Sequence, residues 1–552
     1  MAYGRAMDTA LQSLQTAALT GRQREILSLV AKGFTNVDIG ELLGIARGTV
    51  KNHVATIIER LEVSNRTEAS TLFLQAELQS KNGGQTSRRH GPRIAVLPFR
   101  SAGTETCRRY VAQGLGEAII QVLTNAHRLQ VLAPESPRRL QEMGLRRAAI
   151  GRQLQATHIV QGLITFSGEQ LRIRISVYDC ADDSELLVSE YPCTLQQVFT
   201  TQAAIAAAIA ARLKAAPAED SACPSTAHTE AAHAFWRGRF FWNKRTPEDI
   251  VSSLELFQQS INASADFTLA YVGIADACHQ LGMYTGMPTA DIFQKARDAA
   301  QAAVQLDQQS AQAQTSLAYS HMVFDWDFER AEQGFRRALD LDENYSWGYA
   351  WHSYLCMLQC RFDEALALVL RAQDLDPLSA PLYIHVGHVY RSRGLYDQAI
   401  AELERCIEME PLNIRALGWL AATHAEVGQF SIAEKYIQRA IELSRRHPHL
   451  LAVLGYIYGR MGESGRQQAL LDELQRRTES EFISPLFPAM CLVAGSDHAA
   501  AMGYIERALQ QRAPMLLHWL CDPMFRHLSD QPGYRQVAEA LGLPVIAGQS
   551  GL

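Results

Sequence analysis

Long hydrophobic runs are missing from this sequence of 552 residues. Its most apolar stretches, at 203–211 and 450–459, are about ten residues long, whereas a membrane-spanning helix needs about 20. The opening segment, MAYGRAMDTALQSLQT, has no apolar core of the kind that a secretion signal requires. We therefore expect a cytoplasmic protein that has no secretion signal and no membrane partner.

Paired cysteine motifs and a large excess of charge of one sign are also lacking. The 10 cysteines are scattered without a C-x-x-C pair, which is typical of reduced thiols used as small apolar residues. The formal net charge of −6 argues against a chain that is coated in nucleic acid along its whole length. Residues 1–90 nevertheless carry 11 Lys and Arg against 8 Asp and Glu, which predicts a basic head on an acidic body.

Signatures of catalysis are absent too. The sequence contains no Walker A loop, H-E-x-x-H or G-x-S-x-G motif, and GLG at 114–116 lacks the third glycine of a dinucleotide-binding loop. We interpret Asp179, Asp182 and Asp183 beside Cys180 as a hairpin turn and not as a metal site. The expectation is a binding protein with no catalytic residue, cofactor or metal. An enzyme at 93–213 is an alternative that would require a convergent polar pocket.

Residues 20–78 contain the start and stop signals of four short helices. Thr20 is suited to N-cap the first helix, and Thr35 with Asp38 resembles a capping box for the second. On the third helix, about 47–61, apolar residues recur at i, i+4, i+7 and i+11 and predict a buried stripe: Val50, Val54, Ile57 and Leu61. Small and polar residues lie opposite, as on helices that enter the DNA major groove: Gly48, Lys51, Asn52, Ala55 and Glu59.

The segment 19–69 resembles the LuxR-type (GerE) helix-turn-helix domain. It contains the motifs T-x-R-x-x-E-[IV]-L, G-[FLY]-[ST]-N-x-[DE]-I, T-V-K-x-H and L-x-V-x-[NST]-R in the order of that family. Two positions depart from the pattern: Gly40 replaces the usual Ala, and Ala46 replaces a Ser that N-caps the recognition helix. Loss of that cap should cost about 1 kcal/mol of stability, which weakens the start of the helix without abolishing the fold.

The resemblance implies double-stranded DNA as a partner and assigns its contacts. Lys51, Asn52 and Ala55 should face base edges, because Asn can pair with adenine and Ala can contact a thymine methyl. The full set of implied DNA-binding residues is Thr35, Asn36, Arg47, Thr49, Lys51, Asn52, Ala55 and Arg66. The fourth helix, about 66–78, commonly forms the dimer contact in this family, so we expect a homodimer. Packing of that helix on its own domain is the alternative.

Beyond residues 1–79, the composition and the hydrophobic pattern of the chain change twice. Gly, Ser and charged residues at 80–92 predict a flexible linker, and alternating strand and helix patterns then predict a small α/β domain at 93–213. The order of RIAVLPF, QGLGEAI, HIVQGLI and LRIRISVYD resembles the TolB N-terminal-like domain, which lies between an output module and repeats in CadC-like regulators. Those regulators have a transmembrane helix before this domain, and this sequence has none there.

A second linker, 214–229, precedes a repeating region. Alanines recur 34 residues apart, at Ala331, Ala365, Ala399 and Ala433. Two further columns share this step: Phe328, Phe362, Tyr396 and Phe430, and also Ala338, Ala372, Cys406 and Ala440. Thirty-four residues is the period of tetratricopeptide repeats (TPRs), in which each repeat is a pair of helices. We expect eight irregular repeats over 230–545, ending in a polar cap.

Two clusters in the repeats allow a functional interpretation. HAFWRGRFFWNKR at 233–245 interleaves basic and aromatic residues as single-strand nucleic-acid sites do, but the same pattern suits packing inside a first TPR helix. His352, Cys356 and Cys360 have the spacing to share one helix face and hold a soft metal, although no fourth ligand is apparent. We favour packing for both clusters.

Together these patterns predict a multidomain protein with an all-α helix-turn-helix head, a small α/β domain and an all-α TPR solenoid. The predicted function is a transcriptional regulator that reads an operator through its head. Its body would be controlled by an effector, or by a protein or peptide on the TPR groove, with RNA polymerase as one candidate partner. The alternative function is a TPR interaction scaffold whose helix-turn-helix only anchors or dimerises.

Overall fold

The protein is described by a computed structural model that divides into two compact units, residues 1–90 and 91–552, called here the head and the body. The structure describes residues 20, 22–23, 25–27, 39, 43, 45–60, 91–102, 109–124, 129–167, 170–194, 197–213, 226–244, 246–284, 290–513 and 515–544. Within these ranges, no helix combines the length and the apolar character needed to cross a membrane.

The described part of the head centres on helix α1 (Arg47–Arg60). Thr20 Oγ1 accepts a hydrogen bond from Gln23 N at 3.2 Å, and Gln23 Oε1 accepts one from Thr20 N at 3.0 Å. This reciprocal pair confirms the predicted N-cap at Thr20. Arg60 Nη1 also donates to Gln23 Oε1, at 3.1 Å, and so ties the end of α1 to that cap.

The body begins with a six-stranded sheet. In chain order its elements are β1 (Arg93–Val96), β2 (Arg100–Ala102), α2 (Arg109–Thr124), β3 (Gln130–Val131), α3 (Glu135–Glu142), α4 (Arg147–Leu154), β4 (His158–Ser167), β5 (Gln170–Asp179), β6 (Glu185–Thr194) and α5 (Val198–Arg212). The sheet order is β3-β1-β4-β5-β6, with β2 beside β4. β1 runs parallel to β3 and β4, while β4, β5 and β6 are antiparallel.

Alternating side chains explain how this sheet is covered on both faces. Ile94 packs into a core with α2 and α5, whereas its neighbour Ala95 packs into a second core with α3 and α4. On β5, Ile173 and Ile175 are buried and Arg174 is exposed, which confirms the alternation predicted for this strand. The predicted hairpin turn follows β5, with Asp179 N donating to Ser184 O at 3.0 Å.

Helix pairs form the rest of the body. In the described part they are α6 and α7 (Thr226–Trp242, Pro247–Ala263), α8 and α9 (Thr268–Tyr284, Ala290–Leu306), α10 and α11 (Ala311–Ser320, Phe328–Leu341), α12 and α13 (Ser346–Leu358, Phe362–Leu375), α14 and α15 (Ala380–Ser392, Tyr396–Met409), α16 and α17 (Ile414–Glu426, Phe430–Leu443), α18 and α19 (Pro448–Met461, Ser464–Arg477), and α20 and α21 (Leu486–Leu492, His498–Gln510). α22 (Met515–Leu520), a 3₁₀ helix (Pro523–Leu528) and α23 (Pro532–Ala540) follow them.

The 34-residue columns fall at equivalent positions of these pairs. Each second helix from α11 to α17 begins at the aromatic column, and the alanine column is fully buried in all four: Ala331, Ala365, Ala399 and Ala433. A small side chain is needed there because the two helices of a pair cross closely. These positions confirm the predicted repeat period.

The junction between the sheet and the repeats differs from the sequence-based boundaries in one detail. Helix α6 begins at Thr226, inside the range predicted as a linker, and residues 214–225 lie outside the described residues. The sheet domain and the helix pairs also form one compact unit. Contacts between segments that are far apart in sequence hold the sheet domain and the helix pairs together.

Candidate functional site

The exposed face of α1 carries the DNA-contacting residues that the sequence predicts. Val50, Val54 and Ile57 are buried, so the apolar stripe points into the head. The predicted contact residues on this helix are all exposed: Arg47, Thr49, Lys51, Asn52 and Ala55. Thr35, Asn36 and Arg66, which complete the predicted set, lie outside the described residues, as does Leu61 of the stripe.

This face presents side-chain donors to which no described residue is bonded. Among the described residues, the side chains of Arg47, Lys51 and Asn52 make no hydrogen bond or ion pair. A cation close to a free carboxamide can contact both phosphates and base edges, which are the two kinds of contact that a DNA-reading helix makes. The geometry of α1 is therefore suited to a nucleic-acid interface.

The body holds a second candidate site, where the sheet domain packs against the repeats. Three turns between helix pairs contact it, and we call them the docking turns: Asp342–Asn344, Asp376–Leu378 and Glu410. Asn344 Nδ2 donates to Leu129 O at 3.2 Å, Asp376 Oδ1 accepts from Ser136 N at 3.1 Å, and Arg139 Nη1 lies 2.9 Å from Glu410 Oε1.

The docking turns repeat with the period of the solenoid. Asp342, Asp376 and Glu410 are 34 residues apart, so successive repeats present an acidic residue along one edge. Asp376 is 2% exposed, and burial raises the pKa of its carboxyl to about 7. The sequence signal for this interface is the column of acids, which has the same 34-residue spacing as the small and aromatic columns.

A cavity of about 2170 Å³ lies between the docked sheet domain and the repeats. One side of the cavity, called here the inner wall, is formed by the first helices of the pairs: α8, α10, α12, α14, α16 and α18. The opposite side belongs to the sheet domain and includes residues 96–101 and α2. First helices of TPR pairs lie side by side in this arrangement, so side chains 34 residues apart stack into ridges.

Aromatic side chains dominate the inner wall. Trp351 and Trp419 are separated by two repeat lengths, with His385 at the intervening position. The ring centroids of Trp351 and Tyr319 are 4.5 Å apart, and those of His388 and Trp419 are 4.6 Å apart. These rings pack against one another and give the inner wall an aromatic surface.

Positive charge and imidazole donors accompany these aromatic rings. Arg415 lies one helical turn from Trp419 on α16 and lines the cavity. Burial lowers the pKa of His385, His388 and His449 to about 3, and in each case the positive charge of Arg415 contributes to the shift. The neutral imidazoles of these three histidines and the guanidinium of Arg415 therefore line the same cavity.

The C-terminal segment closes the inner wall near its centre. Arg391, on α14, is fully buried and pairs with Asp522, which precedes the 3₁₀ helix, through an Nη2–Oδ1 distance of 2.7 Å and an Nε–Oδ2 distance of 3.1 Å. Burial disfavours this charge, but Asp522 and Glu426 overcome that effect and raise the pKa of Arg391 above its ordinary value. The inner face of the repeats is thus covered by the sheet domain and by this segment.

The aromatic and basic cluster at 233–245 contributes to packing. Trp236 is 5% exposed and belongs to the core of the sheet domain, close to Gly114 of α2. Phe235 packs against Phe257, with ring centroids 5.6 Å apart, and the guanidinium of Arg239 lies 4.1 Å from the Trp242 ring centroid. These contacts hold α6 between the sheet domain and the next helix, as the packing interpretation predicted.

His352 and Cys356 meet a partner that the sequence analysis did not identify. Glu332, on α11, brings a carboxylate to them, and the three potential ligand atoms lie within 4.8 Å of one another. Arg361 shares this site, because its Nη2 lies 2.6 Å from Glu332 Oε2 and 2.9 Å from Cys356 Sγ. Cys360 stands beyond the end of α12, with φ of 60°, and is not part of the three-residue cluster. The arrangement is an ion pair between the partly exposed Glu332 and Arg361, packed against the buried His352 and Cys356.

Comparison with known proteins identifies two parts of the chain. The family described as "Bacterial regulatory proteins, luxR family" matches residues 17–73, and a tetratricopeptide repeat matches residues 380–411. The chain therefore carries a LuxR-family helix-turn-helix domain near its N-terminus and a TPR in its C-terminal region. The TolB-like assignment of the sheet domain stays a prediction.

Similar proteins match the head over a short segment. The chain is 49% identical over 56 residues to the putative HTH-type transcriptional regulator YhjB of Escherichia coli (strain K12), and 48% identical over 58 residues to the transcriptional regulatory protein LiaR of Bacillus subtilis (strain 168). Each match covers 10% of this chain and 28% of the relative. Among solved structures, yeast Tom70 aligns with 56% of this chain and 67% of its own, at 15% identity and a TM-score of 0.36.

Proposed function

We propose that the protein is a transcriptional regulator whose head reads an operator in duplex DNA through α1. The observation that carries this proposal is the division of α1 into a buried stripe and an exposed face with Arg47, Lys51 and Asn52. The luxR family match over residues 17–73 supports it, as do two relatives whose names describe transcriptional regulators.

The proposal assigns control of the head to the body. The body would bind an effector or a partner protein, with RNA polymerase as a candidate, and the heads would act as a homodimer in the cytoplasm. The protein would work by binding alone, without covalent chemistry. A peptide partner on the TPR groove would have to share or displace the sheet domain, because that domain covers the inner face of the repeats.

Selection of bound sequences from a pool of random duplexes, using the full chain at moderate salt, tests the proposal. We expect one enriched inverted repeat, because two heads of a dimer would contact two half-sites. Lys51→Ala should weaken binding to that repeat by about 1–3 kcal/mol. Lys435→Ala, which removes an exposed lysine from α17 in the body, is the matched control and should bind like wild type. A pool without any enriched sequence would contradict the proposal.

A TPR scaffold anchored by its head is the alternative function, and the TPR match at 380–411 favours it. The two functions differ in their dependence on α1. A chromosomal Lys51→Ala variant, produced at the wild-type level, should lose the phenotype of a regulator and keep that of a scaffold. Phenotype and protein level together therefore separate the two candidates.

A further inference from the structure

The cavity of the body is enclosed enough to hold a small molecule. Small-molecule sites commonly have volumes of about 300–1,000 Å³, so a cavity of about 2170 Å³ has room for a ligand and for water. The docked sheet domain covers the side from which an extended peptide would enter a TPR groove. These features favour a compact organic ligand over a peptide.

Flat apolar surfaces at the inner wall indicate the shape of that ligand. Trp351 and Trp419 both face the cavity from equivalent positions of two repeats. Tyr354 and His385 lie between them, with ring centroids 5.8 Å apart. Aromatic rings favour offset stacking with other planar groups, so a flat ring system fits this wall better than a branched aliphatic chain does.

The polar groups beside these rings indicate the charge of the ligand. The Arg415 side chain makes no hydrogen bond or ion pair with any described residue. Two acids of the cavity wall have partners of their own: Asp276 accepts from Ser316 Oγ at 2.6 Å, and Glu117 lies 3.9 Å from Arg239.

The imidazole of His385 lies close enough to this guanidinium for the positive charge of Arg415 to lower its pKa. In the described part of the chain, His385 Nε2 has no hydrogen-bond partner, whereas His388 Nε2 lies 3.8 Å from Asp522 Oδ2. A guanidinium together with an imidazole N–H group forms a set of donors suited to a carboxylate or a phosphate.

We propose that the cavity binds a small organic anion in which a carboxylate or phosphate is joined to a flat ring system. The anionic group would lie at Arg415 and His385, and the ring system would stack on Trp419, one helical turn from Arg415. This ligand is the effector that the proposed function assigns to the body. The binding step itself does not require DNA, so it is tested separately from operator recognition.

Tryptophan fluorescence provides a direct titration, because all 7 tryptophans belong to the body. The full chain is titrated with 2-naphthoate, 2-naphthyl phosphate and the neutral 2-naphthamide, which share one ring system. We expect the preferred anion to bind at least tenfold more tightly than the amide. Comparing the two anions distinguishes a carboxylate ligand from a phosphate ligand.

Variants locate the bound anion. Arg415→Ala should weaken binding of the anions about tenfold or more and leave the amide unaffected, whereas Arg415→Lys should retain part of the affinity. Arg439→Ala, an exposed arginine on α17 outside the cavity, is the control and should change neither. The Arg415 side chain is exposed and makes no hydrogen bond or ion pair with another described residue, so we expect these variants to unfold at the same urea concentration as wild type.

Trp419→Leu gives an independent measurement, because it should weaken binding of all three probes together by removing the stacking surface. Equal affinity for the anions and the amide would overturn the proposal. Unchanged anion affinity in Arg415→Ala, or no binding of any probe to the folded full chain, would also overturn it. Failure of the head to enrich a DNA sequence would instead overturn the proposed function and leave the binding result standing.

Discussion

The exposed face of α1 and the inner wall of the body are two binding surfaces that are built in different ways. On α1, neighbouring residues of one helix form the surface, and the helical period decides which of them point outward. In the body, Trp351, His385 and Arg415 come from three helices that only the stacking of repeats brings together. One surface is a local property of the chain, and the other is a property of the whole solenoid.

This difference has a consequence for mutation. A surface made by one helix should respond to changes within that helix and be insensitive to changes elsewhere. A surface assembled from many helices should respond to distant substitutions that alter how those helices pack. Four predictions test this contrast, and tryptophan fluorescence reports the body alone in each because the head contains no tryptophan.

The largest expected effect follows from breaking the buried pair between α14 and the C-terminal segment. Asp522→Ala leaves the fully buried Arg391 without its bidentate partner, so the body should lose about 3–5 kcal/mol of stability. Urea unfolding measures the loss. Glu481→Ala breaks the ion pair with Arg477, in which Glu481 is 43% exposed, and should cost no more than about 0.5–1 kcal/mol. Equal costs for both variants would contradict the importance of the buried pair.

A smaller effect is expected where the sheet domain meets α6. A Cβ atom at Gly114 would lie 2.3 Å from the Trp236 ring, so Gly114→Ala should destabilise the body by about 1–3 kcal/mol. Gly116, on the same helix, has its nearest neighbour at 3.8 Å. Gly116→Ala should therefore be neutral or stabilising by about 0.5–1 kcal/mol, because Ala favours a helix. Urea unfolding compares the stability of the two variants. A Gly114→Ala variant that is as stable as wild type would contradict the prediction.

The prediction for α1 concerns binding and not stability. Asn52→Ala should remove about 1–3 kcal/mol of preference at one base pair of the selected operator, because the carboxamide would no longer pair with adenine. Binding to duplexes that differ at that base pair measures the preference. The fluorescence-monitored unfolding of the body should match that of wild type. A change in body stability would mean that the two surfaces are not independent.

The last prediction concerns pH and the docking turn of Asp376. Burial raises its pKa to about 7, so the folded body keeps this proton at pH values where the unfolded chain, with an Asp pKa of about 4, has lost it. The stability contributed by this group is complete below about pH 4 and is lost as the pH rises toward 7, by at most about 1.4 kcal/mol per pH unit.

Asp376→Asn should reduce this dependence, since the amide does not titrate. Urea unfolding at several pH values between 4 and 7 provides the comparison. Asp374→Asn, at a half-exposed position two residues away that pairs with Arg93, should leave the slope unchanged. A slope that is the same in wild type and in Asp376→Asn would show that another group is responsible.

The local features of the fold were predictable because short-range physics determines them. The stripe of Val50, Val54 and Ile57 follows from the helical period, and the alternation on β5 follows from the pleat of a strand. The 34-residue alanine column predicted where helices cross, since only small residues fit there. By contrast, the Glu332 partner of His352 lies on a different helix, and no spacing along one helix could reveal it.

The sequence by itself determined the helix-turn-helix head, the strand pattern and the repeat period, because each depends on residues within a few turns of one another. Only the tertiary structure decided that the sheet domain docks on Asp376 and Glu410, that Asp522 reaches Arg391, and that a cavity remains between these parts. Such contacts join residues more than a hundred positions apart. Their pairing depends on the curvature of the stacked repeats, which no local pattern specifies.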